Sequence, residues 1–150
     1  MEILIDADAC PVKDETYKVA LRHQVPVTLV SNSFLRVPAH PLIKHVTVSD
    51  SFDAADDHVV ELAHASSVVV TADILLAERA LQAGAIVLAP TGKPFTENSI
   101  GGAIATRAIM ADLRAGGDQV GGSAPFSKAD RSRYLSALDE ALHRLKRQQR

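Results

Sequence analysis

The sequence predicts an α/β fold in which helices cover both faces of a parallel sheet, giving three layers. Short apolar runs alternate with helical segments through residues 1–95, and these runs are too short to be core helices. Hydrophobic residues make up 47% of the 150 positions, which is enough for a sizeable core. The βαβ rhythm favours right-handed crossovers and a parallel sheet. We therefore predict one domain over 1–150, with an α/β core at 1–95 and a helical extension at 96–150 packed on it.

The predicted elements follow from apolar runs and local stop signals. Five strands are predicted, at residues 3–5, 26–30, 46–48, 68–71 and 85–88. The predicted helices occupy residues 12–23, 54–65, 74–83, 96–113 and 128–148. Asp53 is predicted to cap the second helix and Gly84 to end the third. Ser127 and Asp130 form a Ser-x-x-acid start for the last helix, after a glycine-rich connector at 115–125.

Net charge and cysteine content limit the partners and the compartment that we expect for this chain. The net charge of −2 gives no global basic field of the kind that announces nucleic acid, although a local basic patch stays open. The single cysteine, Cys10, cannot form an internal disulfide, which suits a reducing compartment. No long apolar segment or signal peptide is recognisable. We expect a cytoplasmic location and no membrane partner, and we leave a homo-oligomer open.

Carboxylates follow two of the predicted strands. The run at 3–5 leads directly into Asp6 and Asp8, and the run at 68–71 leads into Asp73. If the two strands are parallel neighbours, these acids meet at one edge of the sheet, where ligands bind in such folds. Each pair at ~5 Å repels by roughly 3 kcal/mol with an effective dielectric near 20. A divalent cation removes this repulsion, and oxygen ligands suit Mg²⁺ or Mn²⁺.

A second acidic group lies at the start of the second predicted helix. Asp53, Asp56 and Asp57 fall within its first turn. Capping and favourable interaction with the helix dipole explain one or two acids there. Three acids exceed what capping needs, so we also consider them as metal ligands, with Asp56 and Asp57 ahead of Asp53.

A specific motif, Ile-Asp-Ala-Asp-Ala-Cys-Pro at residues 5–11, is followed in order by shorter motifs at 35–38, 52–56, 71–77 and 121–122. With these motifs the chain resembles the YaiI/YqxD family of uncharacterised bacterial proteins, and the resemblance covers nearly the whole chain. The family is itself similar to PIN and NYN nuclease-like domains, which gather carboxylates at strand ends, bind Mg²⁺ or Mn²⁺ and cut RNA. The resemblance implies a PIN-like fold, with Asp6 or Asp8, an acid of 53–57, and Asp73 in the acidic positions.

The resulting hypothesis is a metal-dependent nuclease acting on RNA rather than DNA. Asp8 and Asp73 would hold one ion, and the other acids would complete its shell or hold a second one. The candidate catalytic residues are Asp6, Asp8, Asp56 and Asp73. The candidate metal ligands are Asp6, Asp8, Asp53, Asp56, Asp57 and Asp73. The candidate substrate contacts are Lys13 and Arg36 for phosphate, and Ser31, Asn32 and Thr71 as hydrogen-bond donors.

Three other functions remain open at this level. A receiver-like domain would use Asp50 or Asp53 as phosphoacceptor, with Thr71 and Lys93 beside it. A phosphatase of the haloacid dehalogenase type would use Asp6 as nucleophile and would need a later lysine. A non-catalytic RNA-binding module is the third, although only 4% of residues are aromatic, which disfavours base stacking as the main mode.

Overall fold

A computed structural model describes residues 1–51, 53–115 and 125–149 and confirms the predicted three-layer α/β class. The strands are β1 Glu2–Asp6, β2 Val27–Ser31, β3 Ile43–Thr47, β4 Ser67–Val70, β5 Ile86–Leu88 and β6 Pro94–Phe95. The helices are α1 Lys13–His23, α2 Ala54–Leu62, α3 Ile74–Gln82, α4 Glu97–Ala115 and α5 Lys128–Gln148. The glycine-rich connector at 116–122 and Phe52 lie outside the described residues.

The six strands form one sheet in the order β3-β2-β1-β4-β5-β6. All neighbours are parallel except β5 and β6, which pair antiparallel through Val87 and Phe95. Strand β6 was not predicted, because two residues that include a proline carry no strand pattern. Strand β3 begins three residues earlier than predicted, and α2 ends at Leu62 and not at residue 65.

Side chains of β1 alternate between two cores. Ile3 and Ile5 belong to the cluster beneath α1 and α5, whereas Leu4 belongs to the cluster beneath α2 and α3. This alternation is the period-2 pattern of a strand buried on both faces. The carboxyl-terminal helix α5 packs along α1, where the buried Tyr134 hydroxyl lies 2.7 Å from the Thr16 hydroxyl. Helix α5 therefore covers one face of the sheet, whereas α4, the other helix of the predicted extension, packs on α3 with Ile100 in the opposite core.

The chain order places a crevice between β1 and β4. From β1 the chain proceeds to β2 and β3 on one side, then crosses to β4 and β5 on the other side. Ligands of open α/β sheets bind outside the carboxyl ends of the strands at such a reversal. Asp6 ends β1, and Asp73 follows β4 as the residue before α3. Within the described part of the chain, no helix has the length and apolar character needed to cross a membrane.

Candidate active site

A cavity of about 320 Å³ lies at the reversal between β1 and β4. Four of the predicted acids line it together: Asp6, Asp8, Asp56 and Asp73. The remaining lining residues are Ala9, Cys10, Asn32, Ala55, Val70, Thr71, Ala72 and Pro90. In the described part of the chain no Lys, Arg or His lines this cavity. We refer to it as the acidic cavity.

Asp8 connects β1 to the loop after β2. Its Oδ2 accepts a hydrogen bond of 2.8 Å from the backbone N–H of Asn32, and its Oδ1 accepts one of 3.1 Å from the Ser33 hydroxyl. The Asn32 side chain donates in turn to the carbonyl of Ser49 at 2.7 Å. The loop after β2 is therefore held against the acidic cavity through the Asp8 carboxylate.

Asp6 is oriented by Thr71, the residue that follows β4. The Thr71 hydroxyl donates a hydrogen bond of 2.9 Å to Asp6 Oδ2 and accepts one of 3.0 Å from the backbone N–H of Asp73. Thr71 is only 2% exposed, so its hydroxyl serves this internal chain of hydrogen bonds. Thr71, predicted as a substrate contact, lies in the wall of the acidic cavity with its hydroxyl bonded to Asp6.

Asp73 is the amino-terminal cap of α3. Its Oδ1 accepts hydrogen bonds from the backbone N–H groups of Leu75 at 2.9 Å and Leu76 at 3.3 Å. This is the usual role of an aspartate at a helix start, and it fixes the direction of the carboxylate. Asp73 therefore combines a structural role with a place in the acidic cavity.

Mutual repulsion and burial raise the pKa of two of these acids. Burial raises the pKa of Asp56 to about 6, and the neighbouring charges of Asp73, Asp6 and Asp53 add to the shift. Burial likewise raises the pKa of Asp6, which the Thr71 hydrogen bond opposes and the charges of Asp73 and Asp8 reinforce. The cavity thus holds uncompensated negative charge at neutral pH, which a bound cation would stabilise.

The donor set fits a hard divalent cation. The lining side chains that can ligate are carboxylates together with the Asn32 amide, and Mg²⁺ prefers such oxygens. Mg²⁺ usually takes one or two carboxylates and keeps several waters, so a wide cavity suits it better than a closed protein cage. A Zn²⁺ site would need sulfur or imidazole donors. Burial raises the pKa of the Cys10 thiol at this cavity, which disfavours the thiolate.

A tighter group of ligating atoms lies elsewhere, between α1 and α5. In the described residues, His23, Asp139 and His143 have ligand atoms within 4.8 Å of one another. Two cations already contact this group: Arg22 lies 2.7 Å from Asp139 Oδ1, and the Lys146 ammonium lies 2.6 Å from His23 Nδ1. Because an ammonium only donates, His23 Nδ1 accepts and its Nε2–H donates to Asp139. The group is therefore a satisfied contact between helices.

Two acids of α2 lie outside the acidic cavity. Asp57 forms an ion pair of 2.9 Å with Arg79 of α3, and Asp53 is exposed at the residue before the helix. Asp53 has a left-handed backbone (φ 63°) and makes no side-chain hydrogen bond to the helix, so the predicted side-chain cap is wrong. The backbone of Asp53 still accepts from the Asp57 N–H at 2.8 Å. Of the three α2 acids, only Asp56 reaches the cavity.

The predicted phosphate contacts lie beside the acidic cavity. Lys13 and Arg36 line a second cavity of about 370 Å³ together with Tyr17. Lys13 Nζ donates to the carbonyl of Cys10 at 2.9 Å, and Cys10 also lines the acidic cavity, so the two cavities are neighbours. Ser31 is buried, and its hydroxyl lies 2.5 Å from the Ser33 carbonyl and 2.7 Å from His45 Nε2. Asn32, in contrast, lines the acidic cavity as predicted.

The sequence analysis missed part of the cavity wall. Pro90 lines the acidic cavity two residues after β5, and Ala72 lines it between Thr71 and Asp73. The acids were found among the residues that come after parallel strands, and the same inspection after β5 would have found Pro90. Apolar and small wall residues attract less notice because they carry no reactive group.

Comparison with known proteins shows the family. The family model of the uncharacterized BCR, YaiI/YqxD family matches residues 4–144. A UPF0178 protein of Sphingopyxis alaskensis is 72% identical over 146 residues, covering 97% of this chain and 95% of that protein. A UPF0178 protein of Jannaschia sp. is 60% identical over 146 residues, covering 96% and 94%. No solved structure matches the chain. The chain therefore belongs to the YaiI/YqxD family, as its motifs predicted.

Proposed function

We propose that this member of the YaiI/YqxD family is a Mg²⁺- or Mn²⁺-dependent phosphodiesterase that cleaves nucleic acid, with RNA preferred over DNA. One observation carries the proposal: four carboxylates converge on one cavity at the carboxyl ends of β1 and β4. Repulsion among them is costly, and evolution toward stability alone would replace some by neutral residues. A cation bound by several of these carboxylates would offset their repulsion and account for the arrangement. The preference for RNA rests on the similarity of the family to PIN and NYN domains.

The proposed metal ligands are the two acids whose carboxylates are oriented by backbone hydrogen bonds. Asp8 and Asp73 would hold the ion, because each is oriented by backbone N–H groups at fixed distances. The cap of α3 uses Oδ1 of Asp73, which leaves Oδ2 for the ion. Asp6 would complete the site from the end of β1. When bound, a divalent ion lowers the pKa of a coordinated water and neutralises charge that builds on the phosphate.

Asp56 is the proposed proton acceptor. Its carboxylate lines the acidic cavity, where it could accept a proton from a water molecule. The pKa of about 6 applies to the cavity without an ion, and a bound cation would lower it. Burial and the charges of Asp73 and Asp6 produce this shift, so the acidic cavity itself tunes the residue. Asp57, one position along α2, is paired with Arg79 and has no part in the proposed chemistry.

Lys13 and Arg36 are the proposed phosphate contacts. They line the cavity next to the acidic one, which would let the nucleic-acid backbone cross from basic to acidic side chains. Phosphate contacts of this kind position a substrate without reading its sequence. We also propose a cytoplasmic location, because a chain with one cysteine suits a reducing compartment.

The test is cleavage of labelled RNA by the purified chain with Mn²⁺ or Mg²⁺, followed on a denaturing gel. Cleavage should require the ion and stop in EDTA. Asp8→Asn and Asp73→Asn should each lower the rate by more than about 100-fold, since changes even in supporting shells cost up to about that much. Asp57→Asn is the matched control and should cleave as the unchanged chain does.

Two outcomes would contradict the proposal. Equal cleavage by all four proteins, purified in parallel, would identify a contaminating nuclease. Absence of cleavage of RNA, DNA and a small phosphodiester by the unchanged chain, with either ion, would remove the enzyme assignment and leave the non-catalytic RNA-binding module.

Strand order disfavours the receiver-like alternative. Receiver domains have the order 2-1-3-4-5, with the third strand inside the sheet. Here β3 is an edge strand, and neither Asp50 nor Asp53 nor Lys93 lines the acidic cavity. Stable labelling of Asp50 or Asp53 by acetyl phosphate would restore this alternative.

The phosphatase alternative also loses support. It needs Asp6 as an ionised nucleophile with a lysine close by. The described lining of the cavity includes no lysine.

A further inference from the structure

We propose that Phe34 and His45 form a stacking surface for an unpaired nucleobase beside the acidic cavity. This inference rests on the proposed function and deepens it, because it makes the bound nucleic acid single-stranded at this point. We call the two residues the aromatic step. It uses no residue that was considered for catalysis.

Phe34 is exposed to an unusual degree. Its accessible fraction is 82%, and among the Phe and Tyr residues whose side chains the structure describes it is the only exposed one. Phe and Tyr normally bury most of their surface, as Tyr17 and Tyr134 do here. An exposed aromatic ring gives a flat face on which a nucleobase can stack.

The ring has a firm support on one side. Phe34 and His45 meet edge to face, with ring centroids 6.1 Å apart and an interplanar angle of 73°. His45 lies on β3, and its Nε2 is 2.7 Å from the hydroxyl of the buried Ser31. The imidazole is thus held at the sheet and contacts the Phe34 ring, which stays 82% exposed. An aromatic side chain has only two rotatable torsions, so it loses little entropy when a base stacks on it.

The loop that carries Phe34 is tied to the acidic cavity. Asn32 and Ser33 both donate to the Asp8 carboxylate, and Phe34 is the next residue. Arg36 follows two positions later and lines the neighbouring cavity with Lys13 and Asp14. One loop therefore connects an acid of the proposed active site, an exposed aromatic ring and an exposed cation.

This combination fits a nucleotide better than a wholly apolar partner. A nucleotide offers a flat aromatic face and a phosphate a short distance away, which would match Phe34 and Arg36 respectively. Single-stranded nucleic acid is bound by such pairs of aromatic rings and cations, and the stacking tolerates any base. Bases in a duplex are stacked on each other, so the aromatic step would be without effect there.

The experiment measures binding separately from cleavage. Fluorescence anisotropy follows a labelled single-stranded RNA of about 12 nucleotides, a length within the usual site sizes. Ca²⁺ replaces Mg²⁺ to fill carboxylate sites. Phe34→Ala should weaken binding about tenfold, equivalent to about 1.4 kcal/mol. Phe34→Trp should restore it. Leu21→Ala, which removes another exposed apolar side chain, is the control and should bind as the unchanged chain does.

Two further ligands test whether the nucleobase itself contributes to binding at Phe34. An oligonucleotide of abasic residues keeps the phosphates and lacks the bases, so Phe34→Ala and the unchanged chain should bind it equally. A duplex of the same length should likewise bind to Phe34→Ala and to the unchanged chain with equal affinity. Thermal melting of each variant by circular dichroism should confirm that every protein is folded.

The proposal is overturned if the Phe34→Ala change leaves single-strand binding intact, if the abasic oligonucleotide shows the same loss, or if the unchanged chain binds no single strand. It is also overturned if sedimentation shows that Phe34→Ala turns a dimer into a monomer, because Phe34 would then contact a second copy of the chain and not a nucleobase. Hydrolysis of bis(p-nitrophenyl) phosphate by the unchanged chain with Mn²⁺ is measured in parallel. Its absence would count against the enzyme assignment, while the anisotropy results would still decide the aromatic step.

Discussion

The Thr71 hydroxyl donates a 2.9 Å hydrogen bond to Asp6 Oδ2 and joins the end of β4 to the end of β1. The same hydroxyl accepts from the backbone N–H of Asp73 at 3.0 Å. A single buried side chain thus couples two acids that lie 67 positions apart in the printed sequence. Through it, the neighbouring strands hold Asp6 and Asp73 in a set arrangement before any ligand binds.

Thr71→Val should destabilise the chain by about 2 kcal/mol near neutral pH. It leaves the Asp6 carboxylate without a donor and the Asp73 N–H without an acceptor, while the shape of the side chain hardly changes. The Thr71 hydrogen bond opposes the rise in the Asp6 pKa, so its loss should raise that pKa further. The cost should therefore shrink toward low pH, where Asp6 is protonated in both proteins.

Urea unfolding at about pH 4 and about pH 7.5 measures this difference. Thr71→Ser retains the hydroxyl and is the control for the loss of the methyl group. An equal cost at both pH values would show that the hydrogen bond to Asp6 does not stabilise its ionised form.

Asp56 should make stability fall as pH rises. Its pKa is about 6 in the folded chain against an ordinary 3.8, so the folded state binds more protons in this window. The free energy of unfolding therefore decreases from about pH 4 to about pH 6. Asp56→Asn lacks this titration and should be more stable than the unchanged chain above pH 6. We expect about 1 kcal/mol, after discounting for solvent screening at a half-exposed site.

Unfolding by urea across this pH range, without metal, measures the effect. Asp57→Asn is the matched control. The Asp57 side chain pairs with Arg79 on the surface, so its replacement should change stability by about 0.5 kcal/mol or less. A parallel pH profile for Asp56→Asn and the unchanged chain would contradict the prediction.

Two substitutions of Asp73 should distinguish what its side chain contributes to stability as a helix cap from the effect of its negative charge. Asparagine caps a helix about as well as aspartate, so Asp73→Asn should keep α3 stable and also relieve repulsion with Asp6 and Asp56. Asp73→Ala removes the bonds to Leu75 and Leu76 and should cost about 1 kcal/mol relative to Asp73→Asn. The free energy of unfolding of each variant, measured in EDTA, gives their order of stability. Equal stability of the two variants would mean that the cap contributes nothing.

Gly92→Ala should destabilise the contact between the loop after β5 and α5. Gly92 has φ of +88°, and a Cβ there would lie 2.6 Å from the carbonyl carbon of Arg133. Both the backbone conformation and the close approach to another backbone exclude a side chain, so we expect a loss of about 2 kcal/mol or more. Gly101→Ala is the contrasting variant, because nothing lies within 4 Å of its Cβ in α4.

Gly101→Ala should instead stabilise the helix by about 0.5–1 kcal/mol, the usual difference between glycine and alanine in a helix. Thermal unfolding of both variants, followed by circular dichroism, compares them directly. A stabilised Gly92→Ala protein would show that the loop and α5 separate freely.

The identity of the cavity acid on α2 shows where the sequence analysis reached its limit. Asp56 and Asp57 are adjacent, and on a helix their side chains point about 100° apart. Which one reaches the cavity depends on the rotation of α2, which the buried Ala55 and Val59 set against the sheet. The sequence analysis ranked both ahead of Asp53, whereas only Asp56 lines the cavity and Asp57 pairs with Arg79.

By itself, the sequence determined the order of the elements other than β6, and the acids at the ends of two strands, because short apolar runs and helix signals are local properties of the chain. The YaiI/YqxD membership was also readable from motifs in order. Only the tertiary structure decided that β1 and β4 are neighbours, that Asp57 turns to Arg79 and that Phe34 remains exposed. The physical reason is that strand pairing and helix rotation depend on burying both faces of the sheet at once, and that requirement acts between residues far apart in the chain.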